Sequence, residues 1–301
     1  MELIIPTPPG FSFRRTVASH GWCELQPFEC DLKNWTLTRV LDLNGGQAVT
    51  VTLSETAQGV KIVTKSKLGK RAAEKVAGIV RHMLRLDDEM SVFYGMVAAD
   101  PDFAWVAKQG AGRLLRSPTV FEDLVKMICT TNCSWALTRK MNSGLINALG
   151  GQSADGRRSF PTPAAMAGES EKFYRDEVRA GYRAPYLKEL AERVASGELD
   201  VESWLHSDKP TAELKREMKR VKGVGDYAAE NVLKLVGRYD GLALDSWVRG
   251  KFSKLHNGSR AANDKKIERY YKRFGEWRGL ALWCDMTQDW LDEQGQPRWE
   301  V

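Results

Sequence analysis

The sequence predicts an α+β chain: an antiparallel β-sheet with a few helices over residues 1–110, then a mainly helical domain over residues 111–301. Three observations carry this. Short β-branched runs crowd into the first 66 residues. From Leu68 the apolar period lengthens from two to between three and four. Residues 218–245, MKRVKGVGDYAAENVLKLVGRYDGLALD, read as helix, tight turn, helix, loop and acid.

Composition sets the bounds. With 301 residues the chain can build two or three modest domains with real cores. It is 43% hydrophobic and 28% charged, the balance of a soluble globular protein. The 45 basic residues exceed the 39 acidic ones, so the net charge is +6 and a polyanionic partner is compatible with it. No stretch approaches the ~20 consecutive apolar residues of a membrane-spanning helix. Met1-Glu2-Leu3-Ile4-Ile5-Pro6 has no basic residue before its short apolar run, so no secretory signal is expected. Five cysteines, an odd number, fit a reducing intracellular compartment: a bacterial cytoplasm, or a nucleus or organelle. Cys129 and Cys133 can share a helix face, but no histidine or further cysteine nearby completes a metal set, so both are expected to be buried thiols. The four histidines show no pairing pattern and none is assigned to chemistry.

In chain order, strands are expected at 36–41, 48–53 and 60–63, with Asn44-Gly45-Gly46 as the first hairpin turn. Ala72, Val76, Ile79, Val80, Met83 and Leu84 then mark an amphipathic helix over 71–86, its Lys70, Arg71, Lys75 and Arg81 facing solvent. Asp87-Asp88-Glu89 is expected to open a short acidic helix, and Pro101-Asp102 another. In 117–149, Ser117 is the expected cap and Pro118 fits the first turn. Thr130-Thr131-Asn132-Cys133-Ser134 breaks the apolar stripe before a second helix. Residues 150–156 form a glycine-bounded loop, and a helix runs from Gly181-Tyr182-Arg183-Ala184 towards Ser196-Gly197.

The turn at Gly223-Val224-Gly225 is the most informative feature. Each glycine costs roughly 1 kcal/mol inside a helix against alanine, so a pair of them marks a sharp turn. Leu214, Met218 and Val221 recur before it, and Ala228, Ala229, Val232, Leu233 and Val236 after it, giving a helical hairpin over about 212–236. The second helix begins directly after the glycines. Its free N–H groups and partial positive charge suit a phosphate, with Lys219 and Lys222 beside them. An ordinary packing corner would look the same from spacing alone.

Val221-Lys222-Gly223-Val224-Gly225-x-x-Ala228 resembles the helix-hairpin-helix of the DNA repair glycosylases that carry a Gly/Pro-rich loop and an aspartate after the hairpin. Asp245, in Leu244-Asp245-Ser246-Trp247-Val248, stands where that family keeps its catalytic aspartate. Ile128-Cys129-Thr130-Thr131-Asn132 and Gly181-Tyr182-Arg183-Ala184 resemble segments of the 8-oxoguanine members. Most of residues 110–291 share the resemblance, and the N-terminal sheet shares it only by architecture.

The resemblance implies a base-excision enzyme that binds damaged double-stranded DNA as a monomer. Asp245 would be the essential acid, although as a residue it also reads as a helix cap. Asn132 would fill the gap left by a flipped base. Lys222, Gly223, Val224, Gly225, Trp247 and Arg249 would contact DNA, and Arg183 would serve structure. The backbone carbonyls of Lys219, Val221 and Val224 would hold a monovalent cation, sodium or potassium. Some relatives carry an iron–sulfur cluster on four cysteines beyond the aspartate. Here Cys284 stands there without the other three, so no cluster is expected. Strand-cutting members keep a lysine two residues after the second hairpin glycine. This chain has Tyr227 there, and Lys234 lies two turns further on, so a monofunctional glycosylase without lyase activity is expected. Tyr227, with Asn231 and Met286 at lesion-reading positions and Leu282 in place of an expected glutamine, favours alkylated purines such as 3-methyladenine. 8-Oxoguanine is the second choice, and a lesion-binding module without chemistry the third.

Overall fold

A computed structural model describes residues 1–43, 48–292 and 295–297. Five antiparallel strands form one sheet in the order β1-β5-β4-β3-β2. They are β1 (Glu2–Ile5), β2 (Phe28–Asp31), β3 (Thr36–Asp42), β4 (Ala48–Thr56) and β5 (Gly59–Val63). The three central strands stand at the positions their alternation predicts. Val49, Val51 and Leu53 of β4 point into the core while the residues between them face outward. The edge strands β1 and β2 were not expected as separate elements: at four residues each they are too short to show a period. The expected turn at Asn44-Gly45-Gly46 lies outside the described residues.

The helices follow as the lengthened period predicts. Lys70–Met83 buries Ala73, Val76, Val80 and Met83. Asp87-Asp88-Glu89, expected to open a helix, instead precedes the Ser91–Ala98 helix. Asp88 turns inward and accepts from Arg85 Nε at 2.7 Å, a pairing that competes with capping. The Val120–Thr130 helix starts later than expected. Its cap is Thr119, which accepts from the Glu122 N–H at 3.2 Å, while Ser117 is buried and its N–H donates to Asp123 at 3.0 Å. The loop at 150–156 is tied to the sheet, because the Thr50 hydroxyl donates to Asp155 at 2.8 Å and stands 3.0 Å from the Ser153 hydroxyl.

The sheet is joined to the helices by a buried charge group as well as by apolar packing. Glu122 bridges Arg39 of β3 at 2.5 Å and Lys126 one turn along its own helix at 2.6 Å. Beside it the Trp22 indole N–H donates to Asp123 at 2.7 Å. One continuous apolar core runs from Leu37, Val51 and Ile62 of the sheet through Phe121 and Ile128 to Ala228, Leu233 and Phe252. No helix among the described residues is long and apolar enough to cross a membrane.

Candidate active site

The hairpin forms as its glycines require. Helix Thr211–Met218 leads into the turn, and helix Asp226–Leu235 leaves it with Gly225 as its cap residue. Ala228 and Ala229 are buried, so the second helix packs closely on its neighbours. Gly223 has φ +87°, and a methyl group there would meet the Tyr186 ring at 2.9 Å. Glycine is demanded twice, by conformation and by space. The turn's lysines are already engaged: Lys222 with Glu189 at 2.5 Å, Lys219 with Asp226 at 2.8 Å, and Lys215 with Asp226 at 3.0 Å and Glu230 at 2.6 Å.

Across from the hairpin, the Val120–Thr130 helix ends and Asn132 turns the chain with φ 47°. Asparagine tolerates this left-handed backbone better than most residues. Arg183 holds the turn in place by donating to the Thr131 carbonyl. It stands at the start of the Ala184–Ala195 helix, a structural role as expected, and its guanidinium also lies over Tyr182, 4.4 Å from the ring centre. Between these two turns runs an open cleft of about 780 Å³ lined by Asn132, Tyr182, Lys222, Gly223, Gly225 and Asp245.

Beneath the cleft lies a second cavity of about 660 Å³ with a different character, lined by Trp22, Trp135, Trp247, Trp283, Asn231 and Lys234. Tyr227 and Asp245 border both spaces. The cleft is polar and the chamber aromatic, and these two residues, with Thr130 and Cys133, mark the passage from one to the other. Trp247, Trp283 and Trp290 form one wall, with ring centres 5.9 to 6.2 Å apart. On the opposite rim Trp135 donates its indole N–H to Glu24 at 2.8 Å.

Asp245 caps the Ser246–His256 helix by accepting from the Val248 N–H at 2.7 Å. This bond orients the carboxylate, and the helix dipole favours its charge. The loop before it is clamped. One peptide unit, Leu242–Ala243, is gripped at both ends by one helix face: its carbonyl accepts from Lys234 at 3.1 Å, and its N–H donates to Glu230 at 2.5 Å. Ala243 itself has φ 54°, a strained conformation for alanine that the clamp holds. Burial first, then the nearby Asp245 charge, pushes the Tyr227 hydroxyl up to about 12. Burial pulls the Lys234 ammonium down to about 8 against the opposing charges of Glu230 and Asp245, and pulls His20 down to about 4.

The expected site residues divide. Asn132, Lys222, Gly223, Val224, Gly225 and Asp245 meet at the cleft, as do Lys219 and Val221. Tyr227, Asn231 and Trp247 line the chamber. Met286 does not: it is fully buried in the Arg278–Thr287 helix, as is Leu282. That helix presents Trp283 to the chamber instead, so the register of the resemblance does not hold there. Arg249 borders neither space and pairs with Asp264 at 2.7 Å. The Val221 carbonyl already accepts from the Val224 N–H at 3.1 Å, which leaves one lone pair for any cation. Cys284 is buried and its thiol is pushed up to about 12 by that burial.

Several lining residues escaped the sequence reading. His20, Trp22 and Glu24 come from the N-terminal part and reach the chamber only through folding. Lys234 carried a usable signal: Tyr227, Asn231 and Lys234 are spaced i, i+4, i+7 and share one helix face. Two turns of separation along the helix do not remove it from the chamber.

Comparison with known proteins matches the fold, though not the site residues, to solved structures. No family model matches the chain, and no curated protein matches it. Among solved structures, a 3-methyladenine DNA-glycosylase from Archaeoglobus fulgidus superimposes with a TM-score of 0.74 at 20% identity, covering 96% of this chain and 98% of that one. A Clostridium acetobutylicum 8-oxoguanine glycosylase/lyase in complex with double-stranded DNA gives 0.72 at 20% identity, over 96% and 97%. A Schizosaccharomyces pombe 3-methyladenine DNA glycosylase in complex with abasic DNA gives 0.52 at 18% identity, over 66% of this chain and 97% of its own.

Proposed function

We propose that this chain, which has the fold of the helix-hairpin-helix DNA glycosylases, is itself a DNA glycosylase of base excision repair. The observation that carries the reading is Asp245 at the junction of a polar cleft and an aromatic chamber. The hairpin amides and Lys222 would take a DNA phosphate, at the cost of the Lys222–Glu189 pair. A monovalent cation on the carbonyls of Lys219, Val221 and Val224 would add to that grip. Asn132, with exposed Tyr182 beside it, would enter the duplex where a base has left. Flipping costs a few kcal/mol, less for a damaged base, and stacking on the chamber's aromatic wall offsets it.

Once the base is in the chamber, cleavage of its bond to the sugar builds positive charge on the deoxyribose. The Asp245 carboxylate, held by the Val248 N–H, stabilises that charge and accepts the proton of the attacking water. With Tyr227 at the hairpin position, hydrolysis leaves an intact abasic site. The same ring offers a π face to an electron-poor alkylated purine such as 3-methyladenine. An oxidised purine such as 8-oxoguanine is the second reading, favoured by the Lys234 ammonium in the chamber, which would suit a carbonyl oxygen.

The test is base release from duplexes each carrying one lesion, read with and without alkali. Strand breaks on alkylated purines only after alkali support the reading. Breaks without alkali assign lyase chemistry to an amine of this chain and overturn the monofunctional part. Asp245→Asn should still bind duplex but release base about 10²–10³-fold more slowly. Unchanged release would remove Asp245 from the chemistry.

A further inference from the structure

Lys234 is a buried cation to which the bond-breaking step above gives no part. It is 3% exposed and lies between Leu233 and Leu235 on the inner face of the second hairpin helix. Among the described residues its one hydrogen bond runs to the Leu242 carbonyl, and no carboxylate stands within ion-pair distance. An ammonium has three donors, and this bond uses one, which leaves two for a group in the chamber. Taking a charge out of water without pairing it is costly, and proteins normally neutralise or pair such a group. This chain keeps it at the lining of the chamber that also holds Tyr227, Asn231 and Asp245.

Resting on the glycosylase reading, we infer that Lys234 is the proton donor to the departing base, and that it serves purine lesions that are neutral before excision. A neutral purine leaves badly: the electron pair of the broken bond from C1′ to N9 stays on the ring. Transfer of one Lys234 proton to a ring nitrogen as that bond breaks releases a neutral base. Water then adds to C1′, Asp245 takes its proton, and the lysine is recharged from solvent. Atoms and charge balance without a further reactant. A base that already carries a fixed positive charge leaves as a neutral molecule and has no use for this proton. It would also meet the ammonium as a like charge. Burial holds Lys234 at about 8, so the ammonium predominates at neutral pH yet gives up its proton more readily than an exposed lysine.

The experiment is single-turnover base release by the full chain in excess over duplex. Hypoxanthine and 8-oxoguanine serve as neutral lesions and 7-methylguanine as the cationic one. In Lys234→Met, release of a neutral base should fall by about 10²–10⁴-fold. Release of 7-methylguanine should fall far less, only by what loosening the Leu242 clamp costs, and an unchanged circular dichroism spectrum shows that the variant is folded. In the wild type, neutral-base release should decline above about pH 8 as the lysine loses its proton. In Lys234→Arg, which stays charged, that decline should be absent. Equal losses on both lesion classes would overturn the proposal and make Lys234 a positioning residue for the Asp245 loop through Leu242. A wild type that releases 7-methylguanine but no neutral base would also overturn it, while leaving the glycosylase reading intact. A wild type that releases no base at all would overturn both.

Discussion

Gly223 has two demands on it, a φ of +87° and a Tyr186 ring that leaves no room for a methyl group. Gly223→Ala should therefore cost about 1–3 kcal/mol of stability from backbone strain alone, read by urea unfolding. It should also weaken duplex binding, because the turn's amides would shift. Asn132 is the other left-handed residue at the cleft, and here asparagine is tolerated. Both positions were legible in the sequence, glycine and asparagine being the residues that advertise such backbones. Ala243, with φ 54°, was not, since alanine carries no such mark and its conformation is imposed by Glu230 and Lys234 from another element.

At the scale of elements, the hairpin keeps its own acids on its own bases. Asp226 sits at the first turn of the second helix and pairs with both Lys215 and Lys219. Exposed pairs of this kind are worth about 0–1 kcal/mol, so they tune more than they stabilise. Asp226→Asn frees Lys219, leaves Lys215 on Glu230 and removes a negative charge from the expected phosphate site. Duplex affinity at low salt should rise by up to about fivefold, and the gain should vanish at high salt, where such charges are screened. The Val120–Thr130 helix is tied to β3 differently, through buried Glu122. Glu122→Gln leaves Arg39 and Lys126 with less counter-charge in a dry site and should cost about 3–5 kcal/mol in chemical denaturation. This pairing could not be foreseen from an amphipathic pattern, because Glu122 and Lys126 sit on a face the pattern assigns to solvent.

For the whole molecule, the chamber is a property of the chain rather than of either half. His20, Trp22 and Glu24 precede the sheet's central strands, while Trp247 and Trp283 belong to helices more than two hundred residues later. Burial also holds two histidines neutral, His20 and His82, each pulled down to about 4. The unfolded chain binds their protons near pH 6.5 and the folded one does not. Stability is therefore full above about 6.5 and is lost as pH falls towards 4. Urea midpoints should drop between pH 7 and pH 5, and His20→Gln should flatten that drop by removing one of the two groups. DNA binding should weaken steeply with added salt, since phosphate contacts release counterions. A flat salt response would speak against DNA as the partner.

By itself the sequence determined the α+β class, the three central strands, the hairpin and the acid that follows it. Each of these rests on local chemistry: a period of two or of about 3.6, a glycine pair, a capping carboxylate. Tertiary structure decided the rest. It alone brought the tryptophans of distant segments into one wall, turned Met286 and Leu282 inward and Trp283 outward, and set Lys234 at the chamber. The reason is physical. Which face of a helix meets a cavity depends on the rotation at which it packs against its neighbours. That rotation is set by the summed fit of many side chains, which no single spacing records.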